Sequence, residues 1–121
     1  MAAQVTATRQ VFDHHIGALV AGDIDGIMAD YSEESVVIGP HGVTQGLEAI
    51  RELFQSYLAT LLKPGTYELS ADTVHVHSDI VYVMWHANCT GADITFAADT
   101  FLMKDGKIAL QTFAPKVEPH A

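Results

Sequence analysis

Residues 95–113, TFAADTFLMKDGKIALQTF, decide the fold. Read with a period of two, Thr95, Ala97, Asp99, Phe101 and Met103 share one face, and Phe96, Ala98, Thr100 and Leu102 the other. Lys104-Asp105-Gly106-Lys107 supplies a tight turn, because an Asp-Gly pair tolerates the positive φ angles that a two-residue hairpin demands. Residues 108–113 alternate again as the returning strand. Both faces of this hairpin are largely apolar, which places it centrally in a sheet and covered on both sides. Into that surface the sequence sets one carboxylate, Asp99. A buried carboxylate without a partner is costly, or shifts its pKa until it is neutral. Asp99 is therefore either satisfied by a structural hydrogen bond or kept for chemistry.

Around the hairpin the chain has 121 residues, enough for one domain with a real core and too few for two. With 49% hydrophobic and 17% charged residues, it has the balance of a folded chain rather than a disordered one. A formal net charge of −9 argues against nucleic acid or an anionic membrane as a partner, since both select a basic surface. The single cysteine, Cys89, forms neither an internal disulfide nor a paired-cysteine metal site, which suits a reducing cytoplasm. The N-terminal MAAQVTATRQVFDHH has no signal-type apolar run, and no stretch nears the ~20 apolar residues of a membrane span. The expectation is a soluble, cytoplasmic, single-domain protein over residues 1–121.

Upstream, residues 4–21 carry Val5, Phe12, Ile16, Leu19 and Val20 at helical spacing, and Gly22 closes the segment. Asp23 is a good N-cap for a second helix on which Ile24, Ile27, Met28 and Tyr31 share a face. Residues 35–38 read as a short strand, turned by 39–42 and returned by 43–45. Gly46 leads into a third helix with one wide stripe, Leu47, Ile50, Leu53, Phe54, Tyr57, Leu58 and Leu61, ended by Lys63-Pro64-Gly65. From residue 66 the period changes to two, predicting strands at about 66–77, 80–90, 94–103 and 107–114, with 116–121 a frayed tail. This is an α+β plan, with three N-terminal helices packed on one face of a curved, mainly antiparallel sheet. A curved sheet closed by helices forms a cone with an apolar interior suited to a small ligand.

The run AGDIDGIMADYSEESVVIGPHGVTQGLEAIRELF (21–54) and the closing hairpin ADTFLMKDGKIALQTF (98–113) resemble the NTF2-like superfamily, in its SnoaL-like and ketosteroid-isomerase-like branch. The resemblance spans roughly 5–115. It implies the cone-shaped NTF2-like fold and leaves activity open, because the superfamily includes isomerases, cyclases, hydrolases, dehydratases and non-catalytic binders. In the ketosteroid isomerases an Asp base works with an oxyanion hole made of a Tyr and a protonated Asp. By that resemblance Asp99 takes the place of the oxyanion-hole Asp, and His15 stands where the Tyr would be. Gly39, before Pro40, replaces the general base, which argues against steroid isomerisation. His41, on the same turn, is a candidate substitute base.

His15 lies one turn after Phe12 and one before Leu19, so its ring points into the core, either as a structural histidine or as a proton-transfer group facing Asp99. Residues 80–90 split into an apolar face, Val81, Val83, Trp85, Ala87 and Cys89, and a mixed face, Tyr82, Met84, His86, Asn88 and Thr90. The family's register turns Trp85 inward, and the mixed face then suits a homodimer interface. Tyr31, Phe54, Phe101, Gln111 and Phe113 complete the expected substrate-binding set. His14 is predicted to face solvent. His75 and His77 have the spacing of metal ligands but lack a third, so they read as solvated strand residues and no metal is expected. There is no Gly-rich phosphate loop and no nucleophile elbow.

Together these readings predict a cofactor-free acid/base enzyme with catalytic Asp99, His15 and His41. It would act on an apolar carbonyl-type substrate as isomerase, cyclase, dehydratase or hydrolase, with a protonated Asp99 donating a hydrogen bond to the developing enolate. The alternative is a non-catalytic binding or dimerisation module in which His15 and Asp99 are a structural pair.

Overall fold

Helices α1 (Ala2–Ala21), α2 (Ile24–Met28) and α3 (Leu47–Ala59) alternate with a short hairpin and precede a long meander in the computed structural model, which describes residues 2–120. The strands are β1 (Val36–Gly39), β2 (Gly42–Gln45), β3 (Glu68–His77), β4 (Ile80–Asn88), β5 (Ala92–Lys104) and β6 (Lys107–Pro119). They form one curved sheet in the order β2-β1-β6-β5-β4-β3. Every neighbouring pair is antiparallel except β1 and β6, where Val36, Val37 and Ile38 run parallel to Leu110, Gln111 and Thr112. The expected α+β architecture is present, with that parallel pair as its departure from a plain meander.

Local chemistry explains the corners. Gly22 adopts φ +69°, and its N–H and that of Asp23 donate to the carbonyls of Leu19 and Ala18, closing α1. The Asp23 carboxylate then accepts from the Gly26 N–H at 3.0 Å and starts α2. That helix stops at Met28, short of the Tyr31 expected from its periodicity. The segment after it is tied instead to the start of β6: Lys107 Nζ donates to the Ala29 carbonyl, the Ile108 N–H to the Asp30 carbonyl, and Ser35 Oγ to the Ile108 carbonyl. In the Asp105-Gly106 turn both residues take positive φ, 53° and 76°, as the hairpin chemistry requires.

Three expectations are corrected. Ala97, Asp99, Phe101 and Met103 are buried together, but Thr95 is exposed and Ile94 buried in its place. A register shift between Ile94 and Phe96 inserts an extra residue, and strict alternation cannot foresee such a bulge. Residues 116–119 are not a frayed tail, because β6 continues to Pro119 against the early part of β5, and His120 bonds Asp93. By beginning at Ala92 rather than at residue 94, β5 offers Glu118 and Pro119 the partners Asp93 and Ala92. Ala121 lies outside the described residues. Finally, β5 is central but covered on one face: the helices lie over the face carrying Asp99, while Tyr82 and Phe96 remain 39% and 43% exposed. Among the described residues no helix is long and apolar enough to cross a membrane.

At Gly22 a Cβ would lie 2.2 Å from Pro64 Cγ, and the backbone is left-handed there. Gly22→Ala therefore combines a clash with a stiff ring and a backbone penalty of about 1–2 kcal/mol. Its urea midpoint should fall well below that of the wild type without a change in slope.

Candidate functional site

Under the helices lies a cavity of about 240 Å³ whose walls are mostly apolar. α1 contributes Phe12, His15, Ile16 and Leu19, one face of a helix at three- and four-residue spacing. α3 contributes Leu53, Phe54 and Tyr57. From the sheet come Val83 and Trp85 on β4, Asp99 and Phe101 on β5, and Gln111 and Phe113 on β6, each pair two residues apart on the inward face.

Asp99 sits between Val83 and Phe113 in the register. Its two hydrogen bonds run diagonally to the next inward residues on the flanking strands. Trp85 Nε1–H donates to Oδ1 at 3.0 Å, and Gln111 Nε2–H donates to Oδ2 at 3.3 Å. The Tyr31 hydroxyl donates to Gln111 Oε1, which fixes the amide with its donor end toward Asp99. Tyr31 stays protonated, since burial first, then the charges of Asp99 and Asp30, push its pKa well above the usual phenol value. Asp99 itself is 6% exposed, and burial lifts its pKa to about 6 against the opposing pull of the two hydrogen bonds. It is therefore mostly ionised at pH 7. Both oxygens accept from N–H donors, and burial moves the pKa upward as expected for a carboxyl among apolar walls.

His15 is 1% exposed and meets the rings of Tyr31, Phe54 and Phe101 edge-on at 5.4–5.8 Å. Its Nδ1 is buried without a hydrogen-bond partner. Burial, with a smaller push from His14, lowers its pKa to about 4, so it is a neutral imidazole carrying one N–H and one lone pair. No hydrogen bond joins it to Asp99. The two groups line one cavity without being a satisfied pair.

The other expected residues divide. Phe54, Trp85, Phe101, Gln111 and Phe113 line the cavity as expected. Tyr31 is not among the lining residues and meets the cavity's Gln111 through its hydroxyl. His41 is exposed on the β1–β2 turn and is absent from the lining. Gly39 lies against Phe113, and an added Cβ there would meet Phe113 at 3.5 Å or more, so space alone does not forbid a side chain. His75 and His77 are exposed on β3, and among the described residues no group of three or more His, Cys, Asp or Glu is arranged for a metal.

His14 is half exposed yet bonds the buried Asp30 at 2.7 Å, a pair the sequence reading missed. Burial raises the Asp30 pKa, opposed by His14 and Lys107. The available signal was Asp30 itself, an acid followed at once by the buried Tyr31. Tyr57 was read only as helix stripe, and it is a wall that meets Phe113 edge-on at 5.7 Å.

Residues 11–111 match the SnoaL-like domain family, and the chain belongs to that family and with it to the NTF2-like superfamily. An LEH-like epoxide hydrolase of M. tuberculosis is similar in structure at 14% identity, with a TM-score of 0.72 over 92% of this chain and 84% of that one. An NTF2-like protein of unknown function from Cytophaga hutchinsonii is similar at 16% identity and a TM-score of 0.74, covering 90% and 89%. TerC, co-crystallised with polyporic acid, is similar at 17% identity and a TM-score of 0.75, covering 91% and 92%. At such identities the likeness is one of fold. Sequence comparison with curated proteins finds no match.

The two buried groups pull stability in opposite directions over one pH window. His15 has a folded pKa of about 4 against 6.5 for the free group, so its contribution grows as pH rises between those values and is lost as pH falls. Asp99 has a folded pKa of about 6 against 3.8, so its contribution is full at low pH and lost as pH rises through that range. Each amounts to about 3 kcal/mol at most, and in the wild type they largely cancel. Asp99→Asn should make stability rise from pH 4 to 6.5, while His15→Phe, which keeps the ring-edge contacts, should make it fall. Parallel denaturant titrations at several pH values check this. Equal pH profiles for both variants and the wild type would refute it.

Proposed function

We propose that this SnoaL-like chain is a small-molecule enzyme performing cofactor-free general acid/base chemistry on an apolar carbonyl-type substrate held in the cavity. The observation that carries the reading is a buried carboxylate and a neutral imidazole with an unpartnered Nδ1 on the walls of one mostly apolar cavity, not bonded to each other. A pKa near the working pH gives Asp99 the poise of a general base, the role lost at Gly39. Asp99 takes a proton from the carbon next to the carbonyl. The electron pair moves into the carbonyl, and the resulting enolate oxygen accepts a hydrogen bond from His15 N–H. Return of the proton from Asp99 to another carbon isomerises the substrate. If the enolate instead re-forms the carbonyl and expels a β-hydroxyl, a C=C bond replaces the C–O bond and the Asp99 proton leaves with the hydroxide as water. Trp85, Phe54, Phe101 and Phe113 form the apolar walls, with Gln111 and Tyr31 positioning the base. His41 has no part in this scheme. At about 240 Å³ the cavity falls below the roughly 300–1,000 Å³ of sites for drug-sized ligands, which favours one- or two-ring substrates over a steroid.

The second reading is a non-catalytic binder, favoured by the two hydrogen bonds that Asp99 already accepts. Hydrogen–deuterium exchange at the α-carbon of small cyclic ketones and enones, followed by NMR, separates the two. An enzyme should accelerate exchange, and Asp99→Asn should slow it by a factor of ~10² or more while the fold persists. Exchange unaffected by Asp99→Asn would assign the site to binding.

The outer sheet face supports a homodimer. Ile80 and Tyr82 on β4 and Phe96 on β5 are exposed apolar side chains with no helix over them. Sedimentation should give a particle of twice 13.1 kDa. Tyr82→Glu should shift it toward monomer without altering ligand binding, and a wild type that sediments as a monomer at micromolar concentration removes the dimer reading.

A further inference from the structure

The cavity holds a buried carboxylate to which, among the described residues, no cation is bonded. Both hydrogen bonds to Asp99 come from neutral donors, an indole and an amide. His15, the other buried polar side chain named in the wall, is kept neutral by its surroundings. Arg9 reaches the lining from α1, but its Nε is bonded to Asp13 at 3.0 Å and both side chains are at least half exposed. Meanwhile the carboxylate faces aromatic surface. Trp85 and Phe113 lie nearly parallel, with 6.1 Å between centroids and 10° between planes, and Tyr57 stands edge-on to Phe113. Aromatic faces attract cations, more so where water is excluded. The chain's net charge of −9 favours the approach of cations over anions.

We propose that the ligand of this cavity is an apolar molecule carrying a protonated amine, its ammonium paired with Asp99 and its ring lying against Trp85 and Phe113. This rests on the reading of the cavity as a small-molecule site and adds the charge of what the site selects. An ammonium is the chemical complement of what is there. It supplies the missing counter-ion, and its N–H groups meet the carboxylate lone pairs that Trp85 and Gln111 leave free. A ligand carboxylate would be repelled, and a neutral ligand would leave the buried charge uncompensated. The scheme for catalysis is compatible with it. In an α-amino ketone the carbonyl can face His15 and the ammonium one oxygen of Asp99, with the remaining lone pair of the other oxygen left for the adjacent C–H.

Trp85 is the sole tryptophan of the chain and part of the cavity wall, so its fluorescence reads occupancy directly. The test titrates 2-phenylethylamine and 3-phenylpropylamine against the isosteric alcohols at pH 7.5. The amines should bind at least about tenfold more tightly than the alcohols, a difference of 1.4 kcal/mol. Asp99→Asn should bring each amine to within about twofold of its alcohol. Alcohols that bind as tightly as the amines overturn the proposal, and this wild-type comparison decides even if the variant does not fold. An amine preference that survives in Asp99→Asn also overturns it, since the charge recognised would then lie elsewhere. Ketone exchange that depends on Asp99 without any amine preference removes this inference and leaves the acid/base reading standing. Failure of every probe to bind removes both.

Discussion

The structure depends on keeping Asp99 in place against its own desolvation. Its carboxylate is held by one donor from each flanking strand, Trp85 on β4 and Gln111 on β6. Those donors arrive only because β4, β5 and β6 are in register and the inward residues recur every second position. A shift of β4 or β6 by one residue would turn its donor to the outer face and leave the buried carboxylate one hydrogen bond short. The side chain that strains the core therefore also fixes the register of the central sheet. The chain of bonds extends past the sheet, since Gln111 is oriented by Tyr31, and the Tyr31 segment is pinned to the start of β6 through Asp30 and Ile108.

What was legible in the sequence follows from short-range rules. The hairpin around Asp105-Gly106, the Gly22 stop and the Asp23 cap are local chemistry, and each appears where its residues require. Alternation put Val83 with Trp85 and Asp99 with Phe101 on shared faces, the family's register turned the Trp85 face inward, and the placement of His15 followed from helical spacing. Tertiary partners were harder to see. Alternation carried through a bulge put Thr95 inside, and the end of β6 was set by how early β5 begins rather than by anything in residues 116–119. The His14–Asp30 pair joins α1 to the segment after α2, and no spacing within either element announces it. His41 was assigned a role by analogy of position, and position along a turn does not determine whether a side chain reaches a cavity.

The chemistry of the site was half legible for the same reason. That Asp99 would be buried could be read from its neighbours. That it would accept two hydrogen bonds and remain an acceptor depended on Trp85 and Gln111 having the reach to arrive diagonally. Burial acts on the two titratable groups in a common sense, toward the neutral form, and so raises one pKa and lowers the other. The outcome is a carboxylate poised near neutrality beside an imidazole that stays uncharged, a division of roles produced by one apolar environment.

The strand order carries a consequence for how the chain assembles. The sheet's central hairpin, β5–β6, is made last, whereas the hairpin made first, β1–β2, belongs at the edge and docks in parallel onto β6, with Val36 opposite Leu110. During synthesis the helices and β1–β2 would emerge before the surface they pack on exists. Their apolar faces must wait for residues that are synthesised later. Such non-local closure predisposes the chain to slow folding, with the cavity completed in the final step.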